Sequence, residues 1–320
     1  MNHDLASEKL FDVLVVGELN VDLILNQIEK FPVIGKEVLA HQMMLTLGSS
    51  SAIFASNLST LGSRVVFSGQ LGMDDFGDRV ITGLESKGVN TSGILRLSNI
   101  STGATIVLNF GEDRAMITHQ GAMADFSIHN IADSILLQSK HLHVGSIFLQ
   151  PALKKDILKL YKKAKSLGLT TSLDPQWDPA EKWDLDFESL LPYVDVFLPN
   201  AKELACITNI SDIKKAAQSL STANILVVKN GSEGASLWDG REFLDQPSFL
   251  NTDVVDSIGA GDSFDAGFIH NFIQQRPLQA CLEFAALSGA VNTTRAGGTT
   301  AFENIETVKM IAKASFNYTF

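Results

Sequence analysis

The sequence predicts an α/β protein: a doubly wound, mostly parallel sheet flanked by helices on both faces. Three observations carry that expectation. From about Ile128 onward, short apolar runs alternate with segments of helical spacing, the runs being His141 to Ile147, Thr170 to Leu173, Val194 to Leu198 and Ile225 to Val228, and the helices Leu153 to Ser166 and Ile213 to Leu220. Near the start, Phe11 to Val16 is an apolar run ending at Gly17, which suits a strand buried on both faces. Finally, polar or glycine motifs at Gly17, Asp174, Asn200 and Lys229 each follow a predicted strand, at the carboxyl ends where open parallel sheets collect ligands.

The remaining elements follow the same periods. Val21 to Ile28 and Glu37 to Leu47 alternate loosely around Phe31-Pro32 and Gly35-Lys36 and read as a strand pair. Ser50 to Leu61 places Ile53, Phe54, Leu58 and Leu61 on one helical side. Arg64 to Ser68 reads as a strand and Asp75 to Lys87 as a helix ending at Gly88, while Thr105 to Phe110 and Ala115 to His119 read as a hairpin around Gly111-Glu112-Asp113. Helices over Leu278 to Thr293 and Ile305 to Ala314 close the chain.

Bulk composition narrows the function. A chain of 320 residues with 45% hydrophobic and 19% charged residues buries a full core and is not disordered. A formal net charge of -11 with no lysine or arginine stripe argues against nucleic acid or an anionic membrane as partner. Cys206 and Cys281 lie far apart and form no C-x-x-C, so neither a zinc site nor a disulfide framework is expected. The polar stretch Met1 to Lys9 has no signal-peptide core, and no apolar run approaches spanning length, so a cytoplasmic location is expected.

The chemistry concentrates in Val255 to Phe264, where a glycine-rich turn runs into a helix carrying Phe264, Phe268, Phe272 and Ile273. A helix N-terminus offers unpaired N–H groups and the positive end of the dipole, so Gly259, Ala260 and Gly261 form a candidate anion hole. Asp262 beside it is placed to take a proton from a hydroxyl about to be phosphorylated. Read alone, G-A-G-D is also an acidic cap after a tight turn. Asn200 and Glu203 form N-x-x-E after a strand, which alone reads as a helix capping pair. Lys229, Gly231 and Gly234 lie in a turn between strands, either a plain hairpin loop or one whose glycines let a nucleotide approach the backbone. His141 and His143 share a strand face, with no third metal ligand evident.

Together these motifs resemble the ribokinase-like (PfkB) carbohydrate kinases. Val255 to Phe264 resembles that family's second signature. Gly17-Glu18-Leu19-Asn20-Val21-Asp22, Gly72-Met73-Asp74-Asp75-Phe76-Gly77, Pro199-Asn200-Ala201-Lys202-Glu203 and Lys229-Asn230-Gly231-Ser232-Glu233-Gly234 follow in the family's order. The resemblance implies one kinase domain over 11–315, with a small β lid from about 20–47 and 102–121. It implies ATP and Mg²⁺ as cofactors, with Asp262 as base and Asp22, Gly48 and Ser49 at the sugar. Asn200, Lys229, Gly231, Gly234 and Gly297 would lie at the nucleotide, and Glu203 would hold Mg²⁺ through water. A K⁺ would be held through main-chain carbonyls at Asp256 and Ile258, beside Ala296-Gly297-Gly298-Thr299. Partners would be a small-molecule sugar and a second copy docked through the lid.

The departures bear on substrate. Where the family commonly has a second glycine and then an asparagine near the sugar, this chain has Ser49 and Ile53, and the usual acidic sugar contact after His141 to Ile147 is missing. Arg114 in the lid hairpin could reach a substrate anion or be a solvated turn residue. The expected activity is ATP-dependent phosphorylation of a hydroxyl on a sugar or related polyol. A nucleoside kinase of the same fold and a non-catalytic ligand-binding regulator are the alternatives. A dinucleotide oxidoreductase or P-loop kinase is disfavoured, since neither G-x-G-x-x-G after the first strand nor G-x-x-x-x-G-K-[ST] occurs.

Overall fold

The computed structural model describes residues 9–110 and 113–320, leaving out the side chains of Asp113 and Arg114; the expected reach of Arg114 therefore lies outside the described residues. In chain order the strands are β1 (Phe11–Val16), β2 (Asn20–Ile28), β3 (Ala40–Leu47), β4 (Val65–Gly72), β5 (Asn90–Leu97), β6 (Gly103–Phe110) and β7 (Asp113–His119). They continue as β8 (Ser139–Gly145), β9 (Thr170–Asp174), β10 (Val196–Phe197), β11 (Ile225–Lys229), β12 (Ala235–Trp238) and β13 (Phe243–Gln246). Helices α1 (Ser50–Thr60), α2 (Asp75–Ser86), α3 (Asp133–Leu137), α4 (Pro151–Lys154), α5 (Ile157–Ser166) and α6 (Phe187–Leu190) are followed by α7 (Ala201–Thr208) and α8 (Ile213–Ser219). Helices α9 (Ala260–Ile273), α10 (Leu278–Asn292) and α11 (Ile305–Phe316) complete the chain.

Nine strands form the main sheet in the order β13-β12-β11-β10-β9-β8-β1-β4-β5. It is parallel from β10–β11 through β4–β5 and antiparallel at β11–β12 and β12–β13. Strand β1 shows why the sheet is central: Val13 and Val15 point into one apolar cluster with Phe54, Phe264 and Phe268, whereas Leu14 and Val16 point into another with Tyr161, Leu160 and Ile157. Alternate residues thus serve opposite layers, and the strand is apolar throughout because both faces are covered.

A second sheet, β3-β2-β6-β7, stands over one end of the first. Its β2–β3 and β6–β7 pairs are antiparallel, while β2–β6 is parallel. Ile24 of β2 and Val107 of β6 pack on Ile258, so this lid rests directly on the turn before α9.

Several elements differ from the sequence reading. The expected strand Glu37 to Leu47 begins at Ala40, Val194 to Leu198 shrinks to Val196–Phe197, and β13 was not expected. Three further differences have a clear physical reason. Strand β5 was not expected: it is an edge strand whose residues alternate between exposed and partly buried, and its mixed polar and apolar letters blur the period. The expected strand His141 to Ile147 stops at Gly145, because Ser146 takes a left-handed conformation (φ 50°) and Ile147–Leu149 turns into a 3₁₀ helix. The expected helix Leu153 to Ser166 is broken into α4 and α5 at Asp156, whose φ of -121° is not helical.

Helix α9 bears the candidate catalytic residues and is anchored by Phe268, which is fully buried. Truncating it should cost about 3–5 kcal/mol by lost burial plus the cavity left behind. We expect Phe268→Ala to lower the free energy of unfolding by that amount in guanidinium titrations at unchanged slope.

Candidate active site

The carboxyl ends of the parallel strands, the N-terminus of α9 and the lid enclose one cleft of about 590 Å³. Asp22, Ser50, Ile53, Val107 and Met116 line one part of it, and Gln176, Asn200, Glu203, Lys229, Gly231 and Gly234 another, with Gly259, Ala260, Gly261 and Asp262 between them. Gln176, Asn200 and Gly231 meet because each follows a strand of the parallel array, whereas Asp22, Val107 and Met116 reach the cleft from the lid strands.

Helix α9 begins at Gly259, which has φ 76° and supplies no side-chain cap. A Cβ there would lie 2.6 Å from the Cα of Gly298 and 3.1 Å from Cγ2 of Ile53, so the turn requires glycine in both conformation and space. At Gly261 the nearest atoms to a Cβ position would be 3.9 and 4.0 Å away on Lys229, leaving the backbone open toward the cleft. Ala260 N donates to the Ser257 carbonyl at 3.3 Å, whereas the N–H groups of Gly259 and Gly261 meet no backbone acceptor among the described residues and, with the helix dipole, form a candidate seat for an anion.

Asp262 is buried beside that seat, and its Oδ1 accepts a hydrogen bond of 3.0 Å from Nε2 of Gln176. Burial, followed by the charge of Asp174, pushes its carboxyl up to about 7. Glu203 is likewise pushed up to about 7, by burial and then by Asp174. Burial opposes ionisation of Asp174 too, but the ammonium of Lys229 holds it below the usual carboxylate range. Lys229 Nζ lies 3.0 Å from Asp174 and 2.9 Å from Asp265, and these carboxylates raise its pKa despite burial. Burial raises the carboxyls of Asp265 and of Glu18, the latter bound to Ser51. One lysine among this many carboxyls leaves the cleft short of positive charge, an environment suited to a divalent cation arriving with a nucleotide.

The residues singled out from sequence divide into several roles. Asp22 sits on β2 facing the cleft, with Oδ1 accepting from Nδ2 of Asn20 at 3.1 Å. Gly48 packs under it, since a Cβ would lie 2.2 Å from Asp22 Oδ1. Ser49, at φ 69°, is turned away: its Oγ donates to the carbonyl of Glu18 at 2.6 Å and accepts from Ala52 N at 2.9 Å as the cap of α1. Ser50, not singled out before, lines the cleft instead.

Asn200 and Glu203 do form a capping box, with Asn200 N donating to Glu203 Oε2 at 2.8 Å and Glu203 N to Asn200 Oδ1 at 2.9 Å, and both still line the cleft. The Lys229 side chain is committed to Asp174 and Asp265, while Gly231 and Gly234, at φ 55° and 95°, shape the turn before β12. Asp256 accepts from Ile258 N and Gly297 N, both at 2.9 Å, tying the turn before α9 to the loop after α10. His141 and His143 are buried under the sheet on the hydroxyls of Thr170 and Ser172, and His143 also stacks on Phe54. Burial lowers both, His143 to about 3, so they are neutral packing groups. Gln176 was missed, because nothing local marks a residue that meets Asp262 across 86 positions.

A pattern for the pfkB family carbohydrate kinases matches residues 10–305. The chain belongs to that family. It is an ATP-dependent carbohydrate kinase. A deoxyribokinase from Salmonella typhi is 29% identical over 303 residues, covering 92% of this chain and 96% of that protein. A 5-dehydro-2-deoxygluconokinase from Lacticaseibacillus casei is 26% identical over 315 residues, covering 92% and 94%. An Arabidopsis thaliana ribokinase solved with ribose and ATP superposes with TM-score 0.81 at 23% identity, covering 95% of this chain and 99% of that one. An adenosine kinase from Sinorhizobium meliloti superposes with TM-score 0.80 at 20% identity, covering 90% and 95%. These likenesses establish the fold for this kinase and leave its acceptor to be argued from the cleft.

If Asp262 is the general base it must be ionised to act, and its raised pKa would then make kcat/KM fall as pH drops through about 7. We expect that acid limb in a pH–rate profile of this kinase, and a loss of roughly 10²–10⁴ in kcat for Asp262→Asn. Nucleotide affinity, measured by calorimetry, should survive the substitution.

Proposed function

We propose that this kinase transfers the terminal phosphoryl group of ATP to a hydroxyl of a neutral sugar held between Asp22 and Asp262. The carrying observation is the position of Asp262: a buried, high-pKa carboxyl at an uncapped helix N-terminus, sharing one cleft with the lid carboxylate of Asp22. Asp262 accepts the hydroxyl proton as the oxygen attacks phosphorus. The new O–P bond forms as the bond to the ADP oxygen breaks, and the N–H groups of Gly259 and Gly261 hold the charge on the transferred group, that of Ala260 being taken by the Ser257 carbonyl. Asp22 accepts from hydroxyls of the sugar, a charge-assisted grip.

Gly231, Gly234 and Asn230 line the opposite end, where the nucleotide would lie. Mg²⁺ fits the carboxyl cluster of the cleft, which is short of positive charge. Among the described residues no group of three or more acidic, histidine or cysteine side chains is arranged to hold a metal ion alone. Glu203 would therefore act through water on an ion carried by the phosphates, which supplies charge neutralisation there. No helix among the described residues is long and apolar enough to cross a membrane, and we read the enzyme as cytoplasmic. The exposed Met43 and Ile117, on the lid face turned away from the cleft, support a homodimer through that sheet.

Specificity rests on the wall facing Asp22. Ile53, Val107 and Met116 are apolar, so a fully hydroxylated pentose would leave hydroxyls unpaired there. The same wall favours a second reading, a nucleoside with its base against it. We expect a deoxy or keto sugar to be turned over more efficiently than ribose. The check is kcat/KM over deoxyribose, fructose, ribose and adenosine with coupled ADP detection; efficient turnover of ribose or adenosine overturns the reading.

A monovalent cation fits less well. Both carboxylate oxygens of Asp256 are taken by backbone N–H groups, and the Ile258 carbonyl accepts Nδ2 of the buried Asn292 at 2.6 Å. The protein thus supplies a donor where a K⁺ would bind. Replacing KCl by choline chloride should lower kcat by less than about tenfold, the scale of one hydrogen bond.

A further inference from the structure

Beyond the residues assigned above, we propose that Gln176 is the positioning residue of this kinase, orienting the carboxylate of Asp262 through its side-chain amide. The inference rests on Asp262 being the base. A carboxylate turns about a broad, soft terminal torsion, so a catalytic one needs a partner to fix which oxygen faces the acceptor. Gln176 provides that partner: its Nε2 donates to Asp262 Oδ1 at 3.0 Å and to Asp174 Oδ2 at 2.7 Å, using both amide hydrogens on two buried carboxylates. Asp174 is itself held by Lys229 at 3.0 Å, and Lys229 by Asp265, one turn beyond Asp262 on α9. A closed ring of contacts therefore joins β9, β11 and α9 through Gln176.

The loop after β9 is built to hold that amide. Gln176 has φ 56°, a left-handed conformation that costs energy in a non-glycine residue and persists where the surroundings enforce it. Glu181 and Trp183 in the same loop are also left-handed, at φ 53° and 52°. Buried Asp178 ties the loop together, accepting from the backbone N–H groups of Ala180, Lys182 and Trp183 at 2.9, 2.9 and 2.7 Å. Trp183 packs edge-on against Trp177 and Phe148, with centroids 5.4 and 5.3 Å away. Backbone strain at three positions is thus held by one buried carboxylate and an aromatic cluster, and its result is one amide delivered to the cleft.

The test is steady-state kinetics on Gln176→Gly and Gln176→Glu beside Asp262→Asn and the Gln176→Gly/Asp262→Asn double variant. Glycine accepts the left-handed backbone freely, so Gln176→Gly should melt within about two degrees of the parent. It should lose roughly 10–100-fold in kcat, the cost of a misplaced catalytic group. KM for ATP and for sugar should each stay within about twofold. Gln176→Glu, of equal size but lacking the N–H donors, should lose at least as much kcat. In the Asp262→Asn background Gln176→Gly should add almost nothing, since the group it orients has gone. Wild-type kcat in either single variant, or a loss carried by KM or by melting temperature, overturns the inference while leaving Asp262 as base. Full turnover by Asp262→Asn overturns both.

Discussion

The site depends on one buried ammonium. Lys229, at the end of β11, has its Nζ between Asp174 on β9 and Asp265 on α9, and its side chain is only 10% exposed. Asp174 at that depth could not stay ionised without it, and removing one partner of such a buried ion set typically costs roughly 3–5 kcal/mol. The same ammonium sets the division of labour among the acids. It keeps Asp174 ionised, and the charge of Asp174 then helps burial to push Asp262 and Glu203 upward. A structural ion set thereby tunes the carboxyl of Asp262 on α9.

Steric constraints position the rest. The turn at Gly259 lies against Gly298 and Ile53, with no room for a Cβ, and Ile258 from the same turn is covered by Ile24 and Val107 of the lid. Ile53 therefore packs against the turn before α9 as well as lining the cleft. Gly48 lets the Asp22 carboxylate lie flat against the backbone before α1. Close packing of this kind ties lid and helix terminus together, so that a substrate held by one is presented to the other.

The relatives phosphorylate different acceptors on one scaffold, which fits a design in which chemistry and specificity occupy different walls. In the function proposed above, the α9 terminus, Asp262 and the carboxyl cluster serve the transfer step. Ile53, Val107 and Met116 come from a helix and two lid strands, and Ile53 and Val107 also pack on the turn before α9, so the two walls share a seam.

Sequence by itself determined the elements with strong periods and the motifs that follow them: the alternating β and α units, the glycine turn into α9, the capping box at Asn200 and Glu203, and the aspartate beside the anion seat. These were legible because each is a local pattern, a few residues whose spacing matches one period or one cap. The edge strand β5, the break between α4 and α5, the turning away of Ser49 in favour of Ser50, and the commitment of Lys229 to two carboxylates were decided by tertiary structure. So was the contact of Gln176 with Asp262, made across 86 residues. No local spacing encodes such pairings; they follow from which strand ends the sheet order brings side by side, and from burial that forces each charge and donor to find a partner there.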